Sequence, residues 1–255
     1  MCSIAERIVA SPGVVRGLWL KHNPIGAKGV RAIADLIATG HAPATIDLVQ
    51  TGIAAPVLSG LVDALASTRV VKRLFLSGNH LGSADVLGRL VSDCGLEELY
   101  LSACGLGDNG ALVLASGLKP GIRRLSFASN RIGPSAAVEV VRAAALSGVE
   151  VLDMGRVKTA GVLGAGDNRF DAVGIADALC ASAHRLWHFD FRHTGMDSRG
   201  ALALLGGERK DSSATRFVLG AGIARRVKRE LGQIALGLPE LLPHSDVAAI
   251  RSVHR

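Results

Sequence analysis

The sequence predicts an α/β solenoid of about eight stacked strand–turn–helix units. Three observations predict it. A pattern of the form apolar, x, apolar, x, x, polar, x, apolar recurs from Leu18, Ile46, Leu74, Leu99, Leu125, Leu152, Phe189 and Phe217. Successive copies lie 28, 28, 25, 26, 27, 37 and 28 residues apart, a period characteristic of stacked supersecondary units. Each copy opens on alternating apolar residues, the signature of a short strand with one face buried, and then passes through a Gly-containing turn into apolar positions three and four apart.

The elements follow in order. Ser3 to Ala10 reads as an amphipathic helix capping the first unit, with Ile4, Ile8 and Val9 facing inward and Pro12-Gly13 ending it, so residues 1–14 form an N-terminal cap. Residues 15–224 form the array. Its first unit pairs the strand Leu18-Trp19-Leu20 with a helix around Gly29 to Ile37, and Gly110 to Ala115 repeats the helical theme. The polar position of the pattern is Asn23, Thr51, Asn79, Cys104, Asn130 and Thr194, residues able to bond backbone groups that stacking would otherwise bury bare. In the sixth unit this residue is delayed to Asn168, which leaves about eleven inserted residues within 155–167. Residues 225–255 form a C-terminal cap: a helix from Arg225 to Leu236, a break at Pro239 and Pro243, then a short helix capped by Ser245 or Asp246 and running through Arg251.

These units resemble the leucine-rich repeat family, specifically its ribonuclease-inhibitor type with a longer helical half. The matching stretches are Leu18-x-Leu20-x-x-Asn23-x-Ile25-Gly26-x-x-Gly29, Leu74-x-Leu76-x-x-Asn79-x-Leu81-Gly82 and Leu125-x-Phe127-x-x-Asn130-x-Ile132-Gly133. The resemblance implies a horseshoe with a parallel inner sheet and outer helices. A single unit cannot bury its own apolar stripe, so neighbours must stack and the ends must be capped.

Composition bounds the functional classes. About half of the residues are hydrophobic, but the chain has six Phe, two Trp and one Tyr, so an aliphatic core is expected. No apolar run approaches the roughly 20 residues of a membrane span, and Glu6 and Arg7 fall where a signal peptide would be apolar, so a cytoplasmic protein is expected. The four cysteines, Cys2, Cys94, Cys104 and Cys180, form no C-x-x-C pair and no cluster with His, which suggests neither a metal site nor a disulfide framework. The formal charge of +7 favours acidic partners.

In such an array, function falls on side chains of the inner sheet that do not take part in stacking. The residue after each inward apolar position gives one column: Trp19, Asp47, Phe75, Tyr100, Ser126, Asp153, Asp190 and Val218. The residue before it gives another: Gly17, Thr45, Arg73, Glu98, Arg124, Val151, His188 and Arg216. Trp19, Phe75 and Tyr100 are expected to anchor a partner protein, because aromatic side chains bury much area at little entropic cost. Arg73, Glu98 and Arg124 would supply a polar fringe, and Asp153, His188, Asp190 and Arg192 a charged patch. The simpler alternative is that the aromatics pack on one another.

Asp153 and Asp190 on consecutive strands also raise the alternative of an enzyme or accessory protein using the inserted loop with His188. No third metal ligand stands at a diagnostic spacing. Gly161 to Gly166 is followed by no Lys-Ser or Lys-Thr, and Gly220-Ala221-Gly222-Ile223-Ala224-Arg225 has Arg where a dinucleotide motif needs its third glycine, so no cofactor is expected. Arg225, Lys228 and Arg229 share a helix face. A solvated face explains them more simply than the other alternative, a basic array binding nucleic acid. The expected function is a non-enzymatic protein-binding module or scaffold that grips a partner on its concave sheet.

Overall fold

A computed structural model describes residues 2–11, 13–82, 85–158, 160–206 and 211–248. Among these residues, eight strands form one parallel sheet in sequence order: β1 (Gly17–Trp19), β2 (Thr45–Asp47), β3 (Arg73–Phe75), β4 (Glu98–Tyr100), β5 (Arg124–Ser126), β6 (Val151–Asp153), β7 (His188–Asp190) and β8 (Arg216–Val218). Helices return the chain between strands: α2 (Gly26–Ala38), α3 (Ala55–Thr68), α4 (Val86–Ser92), α5 (Gly107–Gly117), α6 (Pro134–Ser147), α7 (Ala172–Cys180) and α8 (Ser198–Ala203). Before them lies α1 (Cys2–Ala10), and after β8 come α9 (Arg225–Ile234) and the short α10 (Ser245–Ala248). This is the solenoid expected from the repeats, with sheet inside and helices outside. No helix among the described residues is long and apolar enough to cross a membrane.

The inward residue of every strand is buried: Leu18, Ile46, Leu74, Leu99, Leu125, Leu152, Phe189 and Phe217 stack as one row. The row two residues on, Leu48, Leu76, Leu101, Phe127, Met154 and Phe191, is buried too, while its terminal members Leu20 and Leu219 are only partly covered, because an end unit has one neighbour instead of two. The aliphatic core changes character at the C-terminal end, where Phe170, Phe189, Phe191 and Phe217 form an aromatic cluster, Phe189 and Phe191 meeting edge to face at 5.0 Å.

The polar position works as a bracket between units. Asn79 accepts the N–H groups of Thr51 and Ile53 and donates to the carbonyls of Leu48 and Leu76. Asn130 does the same for Cys104, Leu106, Leu101 and Phe127, and Asn168 for Asn130, Ile132, Phe127 and Met154. Asn168 is therefore the displaced sixth member, and the inserted residues before it are a run of turns held by Arg131, which donates to the Gly164 carbonyl from its side chain and to Gly166 from its backbone. Burial pushes the Cys104 thiol up to about 12, which leaves it an inert member of the ladder.

One detail differs from the sequence reading. Of the three α1 residues expected to face inward, Ile8 is buried, whereas Ile4 and Val9 remain 43% and 37% exposed, Val9 lining an open groove between α1 and α2. The final helix is seen over Ser245–Ala248, and its expected continuation through Arg251 lies outside the described residues.

Candidate functional site on the inner sheet face

Side chains alternate along a strand, so with Leu74 or Leu99 turned into the core, the residues on either side of each face outward. The register aligns them in two columns. One runs Trp19, Asp47, Phe75, Tyr100, Ser126, Asp153, Asp190, Val218, and the other Gly17, Thr45, Arg73, Glu98, Arg124, Val151, His188, Arg216.

Phe75 and Tyr100 on adjacent strands stack with ring centroids 4.1 Å apart and planes within 4°, both half-buried. The Tyr100 hydroxyl donates to Glu98 Oε2 at 2.7 Å, so Glu98 is buried beside the stack instead of standing free at its rim. Burial, reinforced by the Glu98 carboxylate, pushes the Tyr100 phenol well above its ordinary range. Trp19 is separated from this pair by the β2 strand and does not join the stack. Its ring folds back over Gly17, whose missing side chain makes the space: a Cβ there would sit 1.8 Å from the indole.

The aspartates are bound into turns. Asp47, Asp153 and Asp190 each accept, through Oδ1, the N–H two residues further on, at 3.0, 3.1 and 3.0 Å. The chain leaves each three-residue strand abruptly and a short carboxylate satisfies the donor exposed by the turn. Asp at the same position of three of the eight copies was the signal for this role in the sequence. Asp153 and Asp190 are neighbours in register. Burial raises Asp153, and Asp190 adds to it. Ser126 donates to Asp153 Oδ2 at 2.9 Å and is bonded in turn to Ser102, while Asp190 is gripped by Arg192 through Nε and Nη2. Arg156, the other cation near in sequence, pairs with Asp167 of the insertion.

His188 is buried, and its Nδ1 has no hydrogen-bond partner among the described residues. Burial lowers it; Asp190 opposes that, and Arg216, Arg124 and Arg192 add to it. The cavity of about 250 Å³ under the insertion is lined by residues such as His80, Asn130, Arg131 and Leu163, and includes neither Asp153 nor Asp190. No group of three or more His, Cys, Asp or Glu able to hold a metal occurs among the described residues. On α9, Arg225, Arg226 and Arg229 are exposed over the buried Val227 and Leu231, and Arg226 pairs with Glu230.

Arg73 departs most from a free fringe. It is 7% exposed, donates Nε to Thr45 Oγ1 at 2.7 Å, and pairs through Nη2 with Asp246 at 2.8 Å. The sequence gives Asp246 only the role of a possible helix cap. Arg216, at the other end of the same column, donates to the carbonyls of Leu238 and Pro239 at 2.7 and 2.6 Å.

The repeating bracket, the parallel register and the aliphatic rows coincide with the comparisons: a family profile described as Leucine Rich repeat matches residues 18–34 and 94–115. The chain contains leucine-rich repeats. Its repeats are of the ribonuclease-inhibitor type. It is 32% identical over 140 residues to the NACHT, LRR and PYD domains-containing protein 5 of Bos taurus, a match covering 52% of this chain and 12% of that protein. It is 29% identical over 146 residues to the ribonuclease inhibitor of Sus scrofa, covering 54% of this chain and 32% of that one. The leucine-rich-repeat chain thus spans a third or less of the length of these curated relatives.

Proposed function

We propose that this leucine-rich-repeat chain is a non-enzymatic protein-binding module, a scaffold that grips a partner on the inner sheet face. The observation that carries this reading is the pair of half-exposed aromatic features on that face, Trp19 lying over Gly17 and the Phe75–Tyr100 stack, with Arg124, Asp153 and Arg192 alongside. Rigid aromatic surface of this kind supplies binding energy at small entropic cost. Glu98, Arg73, His188 and Asp190 stand under or beside that surface and set its charge. The likeness to a porcine ribonuclease inhibitor, a protein named for its action on another protein, agrees with a binding role.

The test is capture from extract with the intact chain and with the Trp19→Ala/Tyr100→Ala double variant, followed by identification of what is retained. The double variant is expected to lose the captured partner while its thermal midpoint stays within a few degrees of the parent. Retention of the partner would refute the reading, and so would a large loss of stability, which would make these rings part of the core.

A further inference from the structure

The last described segment of the chain lies against the inner face. Arg216 on β8 holds the carbonyls of Leu238 and Pro239, and Arg73 on β3 holds the carboxylate of Asp246. Both arginines belong to the same outward column, five strands apart. Five inter-strand steps of about 4.8 Å make about 24 Å, and the seven residue steps from Pro239 to Asp246 reach about 24 Å when extended at about 3.4 Å each. The span is therefore matched by a nearly extended strand of chain, with the long arginine side chains supplying slack. Pro239 and Pro243 favour that conformation and keep helix from forming before Ser245.

Between the two anchors the column is covered at three of its four positions, Arg124 being half-buried. Glu98, Val151 and His188 are 8%, 7% and 8% exposed, although they face away from the core. Charge is complementary as well. Residues 238–248 contain Glu240 and Asp246 and no Lys or Arg, in a chain of net charge +7, and the column they follow carries Arg73, Arg124 and Arg216 against one Glu98.

From this we infer that the column is a groove for an extended acidic peptide segment of a partner protein, and that residues 238–248 are its resident occupant, a strap held in cis. The groove reads a carboxylate at Arg73 and two successive backbone carbonyls at Arg216. A partner segment must supply both, because an arginine buried without its carboxylate is strongly unfavourable. It must also displace a strap tethered a few residues from its anchor, at an effective concentration on the order of millimolar. The inference rests on the inner face being the binding surface, and it names the chemistry of what binds there.

The experiment uses the full chain and a fluorescein-labelled peptide with the sequence of residues 238–248, read by fluorescence anisotropy. Asp246→Lys should release the strap and raise affinity for the peptide at least tenfold over the parent chain. Adding Arg73→Met, or replacing the peptide's Asp by Asn, should abolish the gain. Hydrogen exchange at the amides of residues 244–248 should quicken at least tenfold in the Asp246→Lys and Arg73→Met chains while strand amides stay protected, which shows that both are folded. Equal peptide affinity for the parent and Asp246→Lys chains overturns the inference, as does binding indifferent to Arg73. Dimerisation of the parent by exchanged straps, seen by sedimentation, would also overturn it, since the occupant would then be a second copy. None of these readouts uses the natural partner, so they separate a failure of the strap from a failure of the aromatic grip.

Discussion

Replacing Asn79 by Ala tests what holds one repeat to the next. Asn79 is 1% exposed and makes four hydrogen bonds to the backbone. Without its side chain the N–H groups of Thr51 and Ile53 lose the partner they share, while the carbonyl of Leu48 keeps the Thr51 hydroxyl and that of Leu76 keeps the Cys104 thiol. At about 1–3 kcal/mol for each buried donor left bare, the two together cost about 4 kcal/mol. Asn23 provides the control, because it sits at the exposed end of the array and its side chain bonds, among the described residues, the carbonyls of Leu20 and Lys21 and no buried N–H. Its replacement by Ala should cost under about 0.5 kcal/mol, as at most surface positions. Asn79→Asp should not rescue, since it keeps the acceptors but presents a buried carboxylate to two carbonyl oxygens. Urea unfolding followed by far-ultraviolet circular dichroism measures all three. Costs for Asn79→Ala and Asn23→Ala within about 1 kcal/mol of each other would refute the bracket as the inter-repeat bond.

Other outcomes follow from the same geometry. Tyr100 is the single tyrosine, so absorbance at high pH reports it alone; its phenol should ionise above the ordinary value of about 10 in the folded chain. Because the raised group is the folded one, its contribution to stability is complete below pH 10 and is lost as pH rises toward the folded value. His184 and His188 are both lowered by burial, so their NMR titrations should fall below 6.5, and their contribution, present above 6.5, should be lost as pH falls through the folded values. Gly117→Ala should cost about 2–3 kcal/mol, because the new Cβ would lie 2.6 Å from the Gly88 carbonyl oxygen and force α4 and α5 apart. Gly17→Ala should cost under about 1 kcal/mol, since the clashing Trp19 ring can swing outward, and should shift tryptophan emission to the red.

The array was legible in the sequence because its spacing and its inward apolar residues are set by nearest neighbours. Once Leu74 and Leu99 must stack, Phe75 and Tyr100 can only fall side by side, and the register places them there. Asn168 could be recognised across an insertion because a polar residue followed by Phe170 and Gly174 resumes the repeat pattern there. What each outward residue touches was less legible. Asp153 and Asp190 suggested a charged patch, yet each also closes its own turn, a local demand that Asp47 reveals by repeating it. Ile4 and Val9 matched a helical stripe, but a stripe does not say how wide the surface beneath it is. The path of residues 238–248 left no periodic trace, because a segment that crosses a repeat array follows none of its spacing.

That crossing changes the kind of molecule the array is. The hydrogen bonds within the repeats join near neighbours, as Asn168 to Phe127 does across 41 positions, whereas Arg73 to Asp246 joins residues 173 apart. A linear stack with contacts only between adjacent units can fray from either end without the far units sensing it. Tied from β8 back to β3, the six strands from β3 to β8 become a closed ring of contacts, in which loosening the last helix also loosens the third repeat. Whatever competes for Arg73 would thus act on the cohesion of more than half the sheet.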